Sequence, residues 1–157
     1  MRRRRLNKQS KRLILLSIVL VILILLFVFL LLYLFSDERQ AVKVADTFYQ
    51  HEQQGDFGDS WGLFHSSMKE RFSKSEYVQD RAHVFLEHFG VTAFDYQLSE
   101  AEKVKDYQVN ENTSLQTAYR LTATYIYESK YGYLEISQPV FLVQEEGEWC
   151  VTWEYNQ

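Results

Sequence analysis

From Leu13 to Phe35 the chain runs for 23 residues without a charge, a glycine or a proline. As a helix that stretch is roughly 35 Å long, enough to cross a hydrocarbon layer of about 30 Å with some tilt. A soluble cytosolic protein does not carry such a segment, and a transporter needs several. The run predicts one transmembrane helix over residues 13–35. Of 157 residues in all, the 121 from Asp37 to Gln157 remain to fold in water. That is one modest domain, able to bury about two-thirds of its unfolded surface. Cys150 is the single cysteine, which excludes a disulfide framework.

Charge is divided as sharply as hydropathy. Residues 1–12 carry Arg2, Arg3, Arg4, Arg5, Lys8, Lys11 and Arg12 and no acid, a charge of +7. All 21 acids lie after the apolar run, against the remaining 10 of 17 Lys and Arg, so the polar part stands at −11. Basic residues beside a span stay on the cytoplasmic side. The expectation is a single-pass protein of the plasma membrane, its tail 1–12 cytoplasmic and its domain 36–157 extracytoplasmic. The tail can also hold anionic lipid. Topology accounts for all of these charges, so no nucleic-acid partner is read from them.

An uncleaved anchor is expected rather than a signal peptide. The run exceeds the ~7–15 apolar residues of a secretory signal, and Tyr33-Leu34-Phe35-Ser36-Asp37 has no Ala-x-Ala pattern. Tyr33 and Phe35 suit the outer interface. The span lacks the small-residue spacing of tight helix pairs, so partners are expected to be recognised outside it.

Beyond the span the pattern is first helical. Ala41, Val42, Ala45, Phe48 and Tyr49 recur every three or four positions, with Ser36 or Asp37 as cap and Gly55 as stop. Gly55-Asp56-Phe57-Gly58 reads as a turn. A second, shorter helix carries Trp61, Leu63, Phe64 and Met68. Ser73-Lys74-Ser75-Glu76 is a capping box, and a third helix presents Tyr77, Val78, Ala82, Phe85, Leu86 and Phe89 before Gly90.

After Gly90 the period falls to two. Phe94, Tyr96 and Leu98 alternate with polar neighbours, and Tyr119, Leu121, Ala123, Tyr125 and Tyr127 share a strand face. Lys130-Tyr131-Gly132 turns the chain into residues 133–144, where Pro139 implies a bulge or an edge. Glu145-Glu146-Gly147-Glu148 turns it again, and Trp149, Val151, Trp153 and Tyr155 line the last strand. Residues 99–114 read as a polar loop or weak strand. Helices first and an antiparallel meander afterwards give an α+β domain, about three helices packed on a curved sheet of about four strands.

This order resembles the nuclear transport factor 2-like cone fold, and in particular the membrane-proximal, non-catalytic domain of resistance-type penicillin-binding proteins. The shared features are Gly55-Asp56-Phe57, then Trp61, then Ser73-Lys74-Ser75-Glu76-Tyr77, and the closing Gly147-Glu148-Trp149-Cys150-Val151-Thr152-Trp153. The likeness spans the roughly 120 residues of the outer domain and implies a bacterial envelope protein. The transpeptidase half of that family has no counterpart here, so none of its chemistry is implied.

Residues that could do chemistry each have a plainer reading. His83-Val84-Phe85-Leu86-Glu87-His88 looks metal-like, but imidazoles five apart diverge by about 140° around a helix, whereas His-Glu-x-x-His sets them four apart on one face. His51 and His65 stand near helix ends and need no further role. No metal or cofactor set is read from the sequence. Relatives of the cone fold such as ketosteroid isomerase place acids and phenols inside the cup, which makes Asp80, His83, Asp95, Tyr96, Tyr119 and Tyr125 candidates for base and oxyanion donor. Tyrosine equally suits a strand, with a ring to pack and a hydroxyl that reaches water. Cys150 has no flanking His or Lys to activate it and reads as a packed residue. Asn112-Thr113-Ser114 matches the glycosylation triplet, which a bacterial host leaves bare.

Two function classes follow. The first is a non-enzymatic, membrane-anchored module that binds or positions other envelope proteins. A short basic tail, one span and a small cone domain also look like an assembly subunit of type IV secretion and conjugation channels. Twenty-one aromatics in the outer domain leave some tyrosines for a sheet face, so a homodimer through that face is also expected. The alternative is a small-molecule site or enzyme in the cup, lined by Asp, His and Tyr.

Overall fold

The computed structural model describes residues 8–34, 36–83, 94–110, 113–114, 116–129 and 132–154. Arg2 to Arg5, Phe35, Phe85 to Gly90, Asn112, Lys130, Tyr131 and Tyr155 lie outside the described residues. The chain divides into two compact units, Met1–Ser36 and Asp37–Gln157. The first unit is helix α1, Lys8–Leu34. Its 23-residue stretch Lys11–Tyr33 is long and apolar enough to cross a membrane.

The second unit is α+β. Helices α2 (Asp37–Gln54), α3 (Phe57–Gly62), α4 (Ser66–Arg71) and α5 (Lys74–Ala82) precede strands β1 (Asp95–Leu98), β2 (Glu102–Tyr107), β3 (Gln116–Ser129), β4 (Gly132–Glu145) and β5 (Glu148–Thr152). The strands form one curled antiparallel sheet against which the helices pack.

Helix α2 forms because Ala41, Ala45, Phe48 and Tyr49 make a continuous buried stripe, while Asp37 and Glu38 in its first turn complement the helix dipole. It stops at Gly55, whose φ of +79° suits a residue without a Cβ. Asp56 N donates to His51 O at 2.8 Å and Gly55 N to Glu52 O at 3.3 Å, the paired bonds of a Schellman motif. Phe57 does not stay in the turn: it opens α3. The single helix expected through Trp61, Leu63, Phe64 and Met68 is two, because Phe64 makes a parallel bridge to Val151. His65 N donates to Val151 O at 3.0 Å and Val151 N to Leu63 O at 2.8 Å. The outer edge of β5 is thus covered by the link between α3 and α4.

Helix α5 starts at the expected capping box, with Ser73 accepting from Glu76 N and Glu76 from Ser73 N, both at 3.3 Å. Residues 99–114 contain a strand, β2. It and β1 lie end to end along β3, β1 opposite residues 123–126 and β2 opposite 116–120. The final strand ends at Thr152, one residue before Trp153.

The core lies between the helices and the concave face of the sheet and is built from rings. Phe64 stands 5.0 Å from Tyr77 and 5.2 Å from Phe48, and Tyr125 stands 5.4 Å from Tyr49 and 5.1 Å from Phe94. Each fully buried apolar side chain of this size stabilises the fold by about 1.5–3 kcal/mol. A smaller cluster on the other face holds Ala118, Phe141 and Val143, with Tyr107 stacked on Phe141 at 4.5 Å. The turn between β4 and β5 is a two-residue hairpin with positive φ at Glu146 (54°) and Gly147 (87°), the handedness that matches strand twist.

Candidate functional site

The stripe of α2 places one carboxylate where an apolar residue is due. Glu52 follows Phe48 by four positions and is 1% exposed. An isolated charge at that depth is prohibitive, so its environment must supply donors. The Schellman turn folds α3 back and brings Ser60 Oγ onto Oε1. Helix α5 brings Tyr77 and Arg81, four apart on one face. Tyr77 donates its hydroxyl proton to Oε1 at 2.8 Å. Arg81 donates to Oε2 from Nε at 2.6 Å and also pairs with it through Nη2. Arg81 Nη2 further donates to Tyr125 Oη at 2.9 Å, tying α2, α3, α5 and β3 together.

Electrostatics follow from burial. Burial opposes the charge on Arg81, but Tyr125, Glu52 and Tyr77 outweigh it and hold the guanidinium protonated well beyond its ordinary range. Burial drives the Tyr77 phenol upward, against the pull of Arg81 and with the push of Glu52. Tyr125 is raised by burial in the same way. Tyr49, fully buried beside it, is raised by burial and by the Tyr125 hydroxyl it faces, with no partner at ordinary hydrogen-bond distance among the described residues. Raised in this way, these phenols stay protonated at neutral pH and do not act as bases. Each oxygen of Glu52 already receives two donors, which leaves no lone pair free to take a proton from a substrate.

The candidates read from sequence scatter. Tyr125 belongs to the cluster. Tyr96 lies at its margin: its ring stands 5.6 Å from Tyr49, and its hydroxyl donates to Asp46 Oδ1 at 2.7 Å. Burial, then the bond to Asp46, pushes its pKa up to about 12. Tyr119 is buried elsewhere, its ring 5.5 Å from Trp149 and beneath Lys103 at 6.0 Å. Asp80 and His83 are exposed. Asp95 is exposed and accepts from Gln53 Nε2 at 3.2 Å. An acid–base constellation from these six is therefore not assembled. The residues that do converge, Glu52, Ser60, Tyr77 and Arg81, were missed, although Glu52's place on the apolar stripe was the available signal.

Two histidines have more company than their sequence context suggests. His65 caps α4, accepting from Ser67 N at 3.2 Å, and its Nε2 stands 3.3 Å from Glu145 Oε1. Glu145 also accepts from Ser66 N at 3.0 Å and Ser66 Oγ at 2.5 Å. Burial works against its charge, but the Ser66 bonds, His65 and Lys69 together bring its pKa below the ordinary glutamate value. His51, Asp56 and Asp59 each offer one ligand-type atom within 4.8 Å of the others, at the exposed C-terminal turn of α2. Cys150 faces away from the core on β5, opposite Val143, and burial raises its thiol pKa. A raised thiol is a poor nucleophile at neutral pH.

No model of a known protein family matches the chain, and no characterised protein matches its sequence.

Proposed function

We propose that the chain is a non-enzymatic binding module, anchored in the plasma membrane by α1 with its α+β domain extracytoplasmic, that engages other proteins of a bacterial envelope, a secretion or conjugation assembly among them. The saturation of Glu52 carries this reading. The one carboxylate buried among the described residues is consumed by Ser60, Tyr77 and Arg81, so the domain's polar centre joins its elements rather than awaiting a substrate. The +7 tail and −11 domain support the orientation. The element order supports membership of the nuclear transport factor 2-like cone superfamily.

Protease added to intact cells is expected to cleave the domain, and affinity purification after in-cell cross-linking to recover an envelope partner in stoichiometric amount. A protected domain overturns the orientation, and purification of the chain alone overturns the binding role.

A small-molecule site beside the cluster is the second reading. Tyr49 favours it, a phenol 0% exposed whose hydroxyl faces Tyr125 but makes no hydrogen bond of ordinary length among the described residues. Tyr49→Phe leaves stability unchanged or raised if that hydroxyl serves nothing, and abolishes ligand protection if a ligand fills the place.

A further inference from the structure

The ladder of β4 has a side that β5 does not cover. Thr122 N donates to Ser99 Oγ and Ser99 N to Thr122 O, both at 2.9 Å, so the backbone of Thr122 faces β1 and β2 rather than β4. Its cross-strand mate is Pro139, whose backbone groups therefore also point away from β3. Odd-numbered residues of β4 share that direction. At Phe141, Val143 and Glu145 they meet β5. At Tyr133, Glu135 and Ser137 they meet no strand among the described residues. Pro139 sits at the step between the two stretches, where a missing N–H interrupts neither ladder.

This free edge is also apolar. Tyr133 is 64% exposed, Leu134 39% and Ile136 42%, while the neighbours of the last two across the ladder, Tyr127 and Tyr125, are buried. Charge then selects the occupant. β4 contains no Lys or Arg, and exposed Glu135 lies at the middle of the edge, with Glu128 paired to Tyr133 beside it. A second copy added antiparallel about residue 135 would match Leu134 with Ile136, yet set Glu135 against its own counterpart, and like charges directly opposite oppose pairing. A strand with a cation at that position and apolar residues on either side meets every requirement.

We propose that the β4 edge from Tyr133 to Ser137 is a strand-addition site for an extended, cationic segment of a partner protein. It rests on the binding-module reading and specifies that module's contact. Main-chain bonds to Tyr133, Glu135 and Ser137 supply affinity, and Glu135 with Leu134 and Ile136 supplies selection.

The test uses the full chain in nanodiscs and two labelled, end-blocked peptides, Thr-Val-Lys-Val-Thr and its Glu-centred counterpart, followed by fluorescence anisotropy. The Lys peptide is expected to bind about 5–10-fold tighter than the Glu peptide. Ser137→Pro, which removes an outward N–H and no backbone bond to β3, is expected to abolish binding. Ser137→Ala, which loses only the 2.8 Å side-chain bond to Thr124 that proline also removes, keeps it, and Glu135→Lys is expected to invert the preference. Equal affinities, or unchanged binding by Ser137→Pro, overturn the proposal. So does a dimer in sedimentation that Ser137→Pro dissociates, since the occupant is then a second copy. If the peptides fail while in-cell cross-linking still recovers an envelope partner, the binding module stands and its contact lies elsewhere.

Discussion

The two ends of the β3–β4 hairpin are made of the same strands under different conditions. At the near end Leu121 and Val140 face each other fully buried, β5 occupies the outer ladder of β4, and the helices close the concave face. At the far end Leu134 and Ile136 continue the same face yet stand exposed, beside backbone groups with no strand to pair with among the described residues. Polar groups near the helices are treated oppositely too: Glu52, with almost no solvent, is given four donors. The difference separates what stabilises the chain from what, on the proposal above, is left for a partner. Interior changes should therefore cost stability, and edge changes should cost binding.

The largest effect is expected from Arg81→Leu, which strands Glu52 and should destabilise the domain by about 3–5 kcal/mol in denaturant titrations of the full chain. A loss under about 1 kcal/mol would mean that the interior pair does not hold the elements together. Tyr77→Phe removes a single donor to Glu52 and should cost about 1–3 kcal/mol, whereas Tyr133→Phe, at an exposed site, should leave the denaturation midpoint unchanged. Equal costs would erase the contrast between the two ends.

Solution pH sharpens it further. The folded pKa of Tyr96 is raised to about 12 from 10.0, so its contribution is whole below pH 10 and is lost as pH rises towards 12. Tyr96→Phe should flatten the fall in denaturation midpoint over that window. Glu145 has the opposite sign. Its folded pKa lies below the ordinary 4.5, so its contribution is whole above that value and fades as pH falls through the folded pKa. Glu145→Gln should cost about 0.5–1 kcal/mol at neutral pH and nothing once the carboxyl is protonated; a cost independent of pH would place the effect in packing instead.

How far the sequence revealed all this depends on whether the signal was periodic. The apolar run, the stripe of α2, the capping box of α5 and the alternation of β3 each repeat at a local period, and each appears where the residues put it. Pro139 implied a bulge or an edge, and of the two it is the edge, where its absent N–H costs nothing. The break between α3 and α4 was not legible, because it comes from Val151, more than eighty residues away in sequence. β2 was legible only as one of two alternatives, a polar loop or a weak strand, because it forms on the side of β3 that β1 leaves open. Among site residues, tyrosines drew notice by chemical type, yet Tyr119 lies apart from Tyr125 and only contact decides that. Glu52 broke the apolar pattern it sat in, a local anomaly whose resolution by Arg81 required the tertiary fold.

The central claim is that the polar interior takes no part in recognition, which the proposal places at the uncovered strand. It is tested most directly by in-cell cross-linking of two variants of the full chain. In the first, Glu52→Met with Arg81→Met replaces the buried pair by apolar residues of similar size, which buried pairs tolerate; the second is Ser137→Pro. The account predicts that the double variant keeps its cross-linked partner and Ser137→Pro loses it. Partner lost from a folded double variant and kept by Ser137→Pro would contradict it.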